Sequence, residues 1–258
     1  MELIDTHCHL TFDELAGNVE AVIARSKAAG VTGWITVGTD AQQNRKAIEL
    51  ADKFENMYAT VGIHPHDAKD ATAETMAELK ELAQNEKVVA IGETGLDFHY
   101  NYSPHQDQKR VFAQQLKIAA EFNLPVIVHC REAFDETMEI LEQSSSGVKK
   151  VVFHCFSGSA QQAKVVLDKG FHISFTGVVT FKNAEKTRDA AKIVPVGRLM
   201  LETDCPYMSP EPMRKQKINE PALMIHTAKF LAELKQMPLD DFAEAVTATS
   251  EAFFGLPS

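Results

Sequence analysis

The chain has 258 residues, 45% of them hydrophobic and 24% charged, which is ordinary for a globular protein and long enough to bury a large core without disulfides. Its net charge is −10 with the ten histidines neutral, a field that opposes broad non-specific adhesion to nucleic acid or anionic membranes; bound cations can still reverse the sign locally. No basic segment precedes a long apolar run at the N-terminus, no stretch nears the roughly 20 apolar residues of a membrane span, and four cysteines make no disulfide framework, so a soluble cytoplasmic protein is expected.

Short apolar runs predict strands at 3–6, 34–37, 57–61, 88–91, 125–128, 151–153, 171–175 and 199–201. Helical periodicity lies between them. Leu15, Val19, Val22 and Ile23 share one face, as do Met76, Leu79 and Leu82, and Phe112, Leu116, Ala119 and Ala120. Further helices are predicted near 134–143, 160–169, 184–193, 222–234 and 239–253. No linker or low-complexity tract interrupts the series. The expected architecture is α/β, a single (β/α)8 TIM barrel over residues 1–258. An open doubly wound sheet would call for a glycine-rich phosphate turn after the first strand, and none is there.

Ligand-type side chains close one apolar run after another. Asp5, His7 and His9 end the first, His64 and His66 the third, and Glu93 and Asp97 the fourth. His129 ends the fifth, His154 the sixth, and Glu202 and Asp204 the eighth. In a parallel barrel this C-terminal rim carries the active site. Residues two apart on a strand face one side, so His7 pairs with His9 and Glu202 with Asp204. Two imidazoles from one strand can hold one cation, with carboxylates from other strands completing its shell; His129 and His154 can hold a second, and Glu93 between them can bridge.

Taken singly, these residues have plain structural readings: a hydrogen-bonded core histidine, a helix-start carboxylate, a turn aspartate. Together on one rim they point to a metal site. Asp97 is expected behind the ligands, orienting a histidine, with Glu202 in a similar supporting place. Each cysteine directly follows a proposed ligand and would face away from it, as a small apolar residue. These residues are compatible with a phosphodiesterase, with a hydrolase of a small ester, amide or lactone, and with a non-catalytic metal-binding module.

The motifs DTHCHL, GIHPH, GETGLD, HCR, HCFSG, ETDCP and NEP, in that order from Asp5 to Pro221, resemble the TatD family of metal-dependent deoxyribonucleases among the amidohydrolase-like barrels. The resemblance implies a first metal on His7, His9 and Asp204 and a second on His129 and His154, with Glu93 bridging. His64 and Arg131 would lie near the substrate phosphate. It implies a 3′–5′ exonuclease on single-stranded DNA supported by Mg²⁺ or Mn²⁺, with Zn²⁺ also compatible with the imidazoles. Asp204 would hold the attacking water and take its proton. DNA ends or another phosphoester are the expected substrate, with no membrane and no obligate protein partner. Lys182, Arg214 and Lys217 in rim loops can meet phosphates, and Phe98, Tyr100, Tyr102 and Tyr207 can stack bases or simply pack.

Overall fold

The computed structural model describes residues 1–257. Eight strands follow in chain order: β1 (Leu3–Cys8), β2 (Val31–Val37), β3 (Met57–Val61), β4 (Val88–Asp97), β5 (Val126–Arg131), β6 (Val151–Phe153), β7 (His172–Phe175) and β8 (Leu199–Leu201). They form one sheet in the order β1 to β8, with parallel pairing. All eight predicted runs are strands. The helices between them are α1 (Asp13–Ala16), α2 (Val19–Ala28), α3 (Ala41–Ala51), α4 (Ala73–Leu82), α5 (His105–Phe122), α6 (Phe134–Ser144), α7 (Ala160–Asp168) and α8 (Glu185–Ile193); α9 (Met224–Leu234) and α10 (Leu239–Phe254) follow β8. This is the topology of the (β/α)8 barrel. No helix among the described residues is long and apolar enough to cross a membrane.

The chain divides into two compact units. Val37–His154 holds β3 to β6 with α3 to α6. Met1–Thr36, with the chain from Cys155 onward, holds the remaining strands and helices. In the first unit every residue of β4 is buried, as expected for a parallel strand covered on both faces. β4 is longer than the predicted 88–91 because the segment GETGLD continues pairing with β5 as far as Asp97. Gly95 makes this possible: it has φ +140, and a Cβ there would collide with the carbonyl oxygen of His129.

Helix starts are chemically marked. Asp40 caps α3 by accepting the N–H groups of Gln42 and Gln43, and α4 and α7 open with reciprocal capping pairs, Thr72–Thr75 and Ser159–Gln162. The sequence reading missed α3. Its buried stripe is Asn44, Ala47, Ile48 and Ala51, and the polar residue in it breaks the apolar period.

Candidate metal centre

In the unit built on both chain ends, His7, His9 and Asp204 converge. His7 and His9 leave the end of β1, and Asp204 lies in the loop after β8. Main-chain bonds clamp these segments together: the Asp204 N–H donates to the His7 carbonyl at 2.8 Å, and the His9 N–H to the Cys205 carbonyl at 2.8 Å. The Nε2 atoms of His7 and His9 lie 3.3 Å apart. Asp204 Oδ1 is 3.2 Å from His9 Nε2 and 3.6 Å from His7 Nε2. All three residues are buried.

β8 ends at Leu201, so strand alternation does not govern residues 202–204. Asp204 has φ 52, a left-handed conformation that aspartate tolerates better than most residues. Glu202 engages other partners: it accepts the Cys155 N–H at 2.5 Å and the Ser174 hydroxyl at 2.7 Å. Asp5, fully buried, braces the same region by accepting the Thr203 N–H at 2.9 Å and its hydroxyl at 2.5 Å. Burial pushes the Asp5 carboxyl up to about 7, against the hydrogen bonds of Thr203 and His7.

In the unit Val37–His154, Glu93 is the hub. Its Oε1 lies 2.7 Å from His129 Nδ1, 2.8 Å from His154 Nε2 and 3.4 Å from His64 Nε2. His154 Nε2 and His129 Nδ1 are 3.4 Å apart. On the other edge of the His129 ring, Nε2 is 3.1 Å from Asp97 Oδ2, which also lies 2.9 Å from His66 Nε2. Asp97 Oδ1 accepts the N–H groups of His99 and Tyr100.

Burial pushes the His64 imidazole down to about 4, against the pull of Glu93. His129 goes the other way: burial disfavours its charged form, but Asp97 and Glu93 outweigh burial and raise it. Asp97 shows the reverse balance, with hydrogen bonds from His129 and His66 overcoming burial to hold its carboxyl well below the usual range.

These donor sets suit divalent cations. Ligand atoms about 2.1 Å from a tetrahedral centre are separated by roughly 3.4 Å, and the His7–His9–Asp204 separations run from 3.2 to 3.6 Å. His64, Glu93 and His129 form a second convergent ligand group, and His154 lies against the same Glu93 oxygen. Neutral imidazoles and carboxylates are ligands for Mn²⁺, Zn²⁺ and, through oxygen, Mg²⁺. No convergent group among the described residues includes a cysteine.

Arg131 is exposed, and its guanidinium lies over the Tyr100 ring, 4.8 Å from the centroid. Four amides act as positioning residues, and of these the sequence reading had marked only Asn219, within NEP. Asn44 on α3 pairs both its donor and its acceptor with the main chain of Gly62, at 3.0 Å each. Gln115 on α5 does the same to Ile63, and Gln108, seven residues earlier on the same face, to Asp97. Asn219 of the NEP motif donates to the carbonyls of Thr203 and Tyr207, either side of Asp204. A buried amide can satisfy a peptide's N–H and C=O at once, which fixes a loop that no ladder holds.

Residues 4–255 match the profile of the family described as "TatD related DNase". An uncharacterized metal-dependent hydrolase of Bacillus subtilis, YabD, is 41% identical over 252 residues, covering 98% of each chain. A protein of Erwinia amylovora named 3′-5′ ssDNA/RNA exonuclease TatD is 36% identical, covering 98% of this chain and 100% of its own. The crystal structure of YjjV, a TatD homolog from Escherichia coli K12, superposes with a TM-score of 0.93 at 33% identity over 99% of this chain and 98% of its own. The ordered motifs, the strand topology and the whole-length match agree: the chain belongs to the TatD family.

Proposed function

We propose that this protein is a metal-dependent hydrolase that removes nucleotides from the 3′ end of single-stranded DNA. The observation that carries the reading is the donor chemistry of the rim: imidazoles and carboxylates gathered at ligand spacing around Asp204 and around Glu93. The relative named 3′-5′ ssDNA/RNA exonuclease supports a single-stranded nucleic acid as substrate, and the family described as TatD related DNase supports DNA.

His7, His9 and Asp204 would hold one divalent ion, and His129 and His154 a second. The family resemblance implies that Glu93 would be a further metal-binding carboxylate. Such ions, Mg²⁺ or Mn²⁺ in use, supply Lewis acidity toward the phosphoryl oxygens and acidify water. Asp204 orients the attacking water and accepts its proton. His64, neutral through burial, donates a hydrogen bond to the phosphate. Arg131 supplies a planar pair of donors to the strand. Asp97 fixes the ring of His129 from behind, while Glu202, through the Cys155 N–H, fixes the main chain beside His154. With a net charge of −10 the protein has little general attraction for duplex DNA, which favours a strand end threaded to the rim.

A 5′-labelled single-stranded oligonucleotide with Mn²⁺ should shorten one nucleotide at a time from its 3′ end. An intact oligonucleotide, alongside turnover of a lactone or amide, would reassign the site to carbon-centred hydrolysis.

A further inference from the structure

Beside the Glu93 cluster, in the same unit, lies an aromatic platform. Tyr100 and Tyr102 stack with centroids 5.3 Å apart and planes 13° from parallel. Both are exposed, at 38% and 57% of their surface, an unusual investment for two large rings in one short loop. The loop is fixed at its base, not merely draped: Asp97 accepts the Tyr100 N–H at 2.9 Å, and Gln108 accepts the Asp97 N–H and donates to the Ser103 carbonyl. His66 packs edge-on against Tyr102 at 4.8 Å and against Tyr100 at 5.6 Å. The same His66 ring lies 6.3 Å from His129. The platform is therefore one ring removed from a proposed metal ligand. Phe98, by contrast, is spent on internal packing, stacked at 3.8 Å on His105.

Arg131 adds charge. Its exposed guanidinium lies over the Tyr100 ring, 4.8 Å from the centroid, which puts a phosphate-binding cation beside the stacked rings. The exposed carboxylate of Glu132, next in sequence to Arg131, lies 2.8 Å from the His99 ring.

We infer that Tyr100 and Tyr102, with Arg131, form a nucleobase-stacking subsite that grips the single strand next to the scissile phosphate. Every base has a π-face, so such a platform takes any sequence, while the arginine selects a phosphate-linked chain over a free aromatic. A duplex hides its base faces and is excluded. The subsite rests on the nuclease reading and deepens it by stating which part of the substrate is held, and by what.

The test pairs ring and base deletions. Wild type, Tyr102→Ala and Tyr102→Phe are assayed with Mn²⁺ on a single-stranded oligonucleotide and on a series carrying one abasic nucleotide at successive positions from the 3′ end. Tyr102→Ala should raise KM roughly tenfold with kcat little changed, at the lower end of the effect of losing one base–aromatic stack, and Tyr102→Phe should behave as wild type. At one abasic position the wild type should lose the same factor, and Tyr102→Ala should lose nothing further there. Unchanged KM in Tyr102→Ala, or losses that multiply at every position, would overturn the subsite while leaving the nuclease reading intact. A wild-type protein that digests no oligonucleotide would overturn both.

Discussion

The side-chain amide of Gln115 closes two hydrogen bonds with the main chain of Ile63, accepting its N–H at 2.8 Å and donating to its carbonyl at 2.9 Å. The same amide nitrogen reaches the Thr94 hydroxyl at 2.6 Å. One fully buried side chain thus holds the residue before His64 and the residue after Glu93. Gln115→Leu keeps the volume and strands these groups. A buried main-chain group left unpaired costs about 1–3 kcal/mol, so the variant should lose about 2–4 kcal/mol. At roughly 2–4 °C of Tm per kcal/mol for a chain near this size, calorimetry should record a drop of about 5–15 °C. An unchanged Tm would mean the clamp contributes nothing.

Gly95 lets β4 run close against β5. An alanine there meets the His129 carbonyl and must hold a φ that L-residues avoid. Strain and overpacking each cost about 1–3 kcal/mol, so Gly95→Ala should lose at least about 2 kcal/mol in urea unfolding and bind metal more weakly than wild type. Gly197→Ala, where an added Cβ meets nothing within 4 Å, is the control expected to change little.

Asp97 touches His129 and His66 without belonging to a convergent ligand group. Asp97→Asn preserves shape but removes the charge that orients His129. Carboxylates behind a metal-binding imidazole are worth about 10–100-fold in metal affinity. Titration calorimetry with Mn²⁺ should show a loss of that order, with the fold intact by circular dichroism. Wild-type affinity would show that His129 needs no such support.

Much of this was legible in the sequence, for identifiable reasons. Parallel strands buried on both faces read as apolar runs, so β3, β6 and β8 coincide with the predicted 57–61, 151–153 and 199–201. The ligand-type residues ending six of the eight runs were visible, and structure brings His7, His9 and Asp204 together and gathers His64, His129 and His154 around Glu93. Less legible were features that depend on polar residues doing buried work. Asn44 broke the period of α3, Gln108 and Gln115 lie outside the apolar pattern that marked α5, and the predicted strand 88–91 stopped short of the GETGLD segment, whose glycines extend β4. His66 was visible in GIHPH, but only the fold shows that it links Asp97 to the exposed tyrosines.

If Asp204 takes the proton of the attacking water, Asp204→Asn should reduce kcat on single-stranded DNA by about 10²- to 10⁴-fold, the usual weight of a positioned base. Glu93→Ala should do at least as much through lost metal. Normal turnover in either variant would remove the residue from the mechanism.

The most direct test of the account counts ions. Metal-stripped protein is dialysed to equilibrium against Mn²⁺, and bound metal is measured per chain for wild type, for His7→Ala with Asp204→Asn, and for His129→Ala with His154→Ala. The account expects two ions on the wild type, one fewer on each double variant, and DNA hydrolysis only where both are present. Undiminished metal content in either double variant, or full hydrolysis by the metal-stripped wild type, would contradict it.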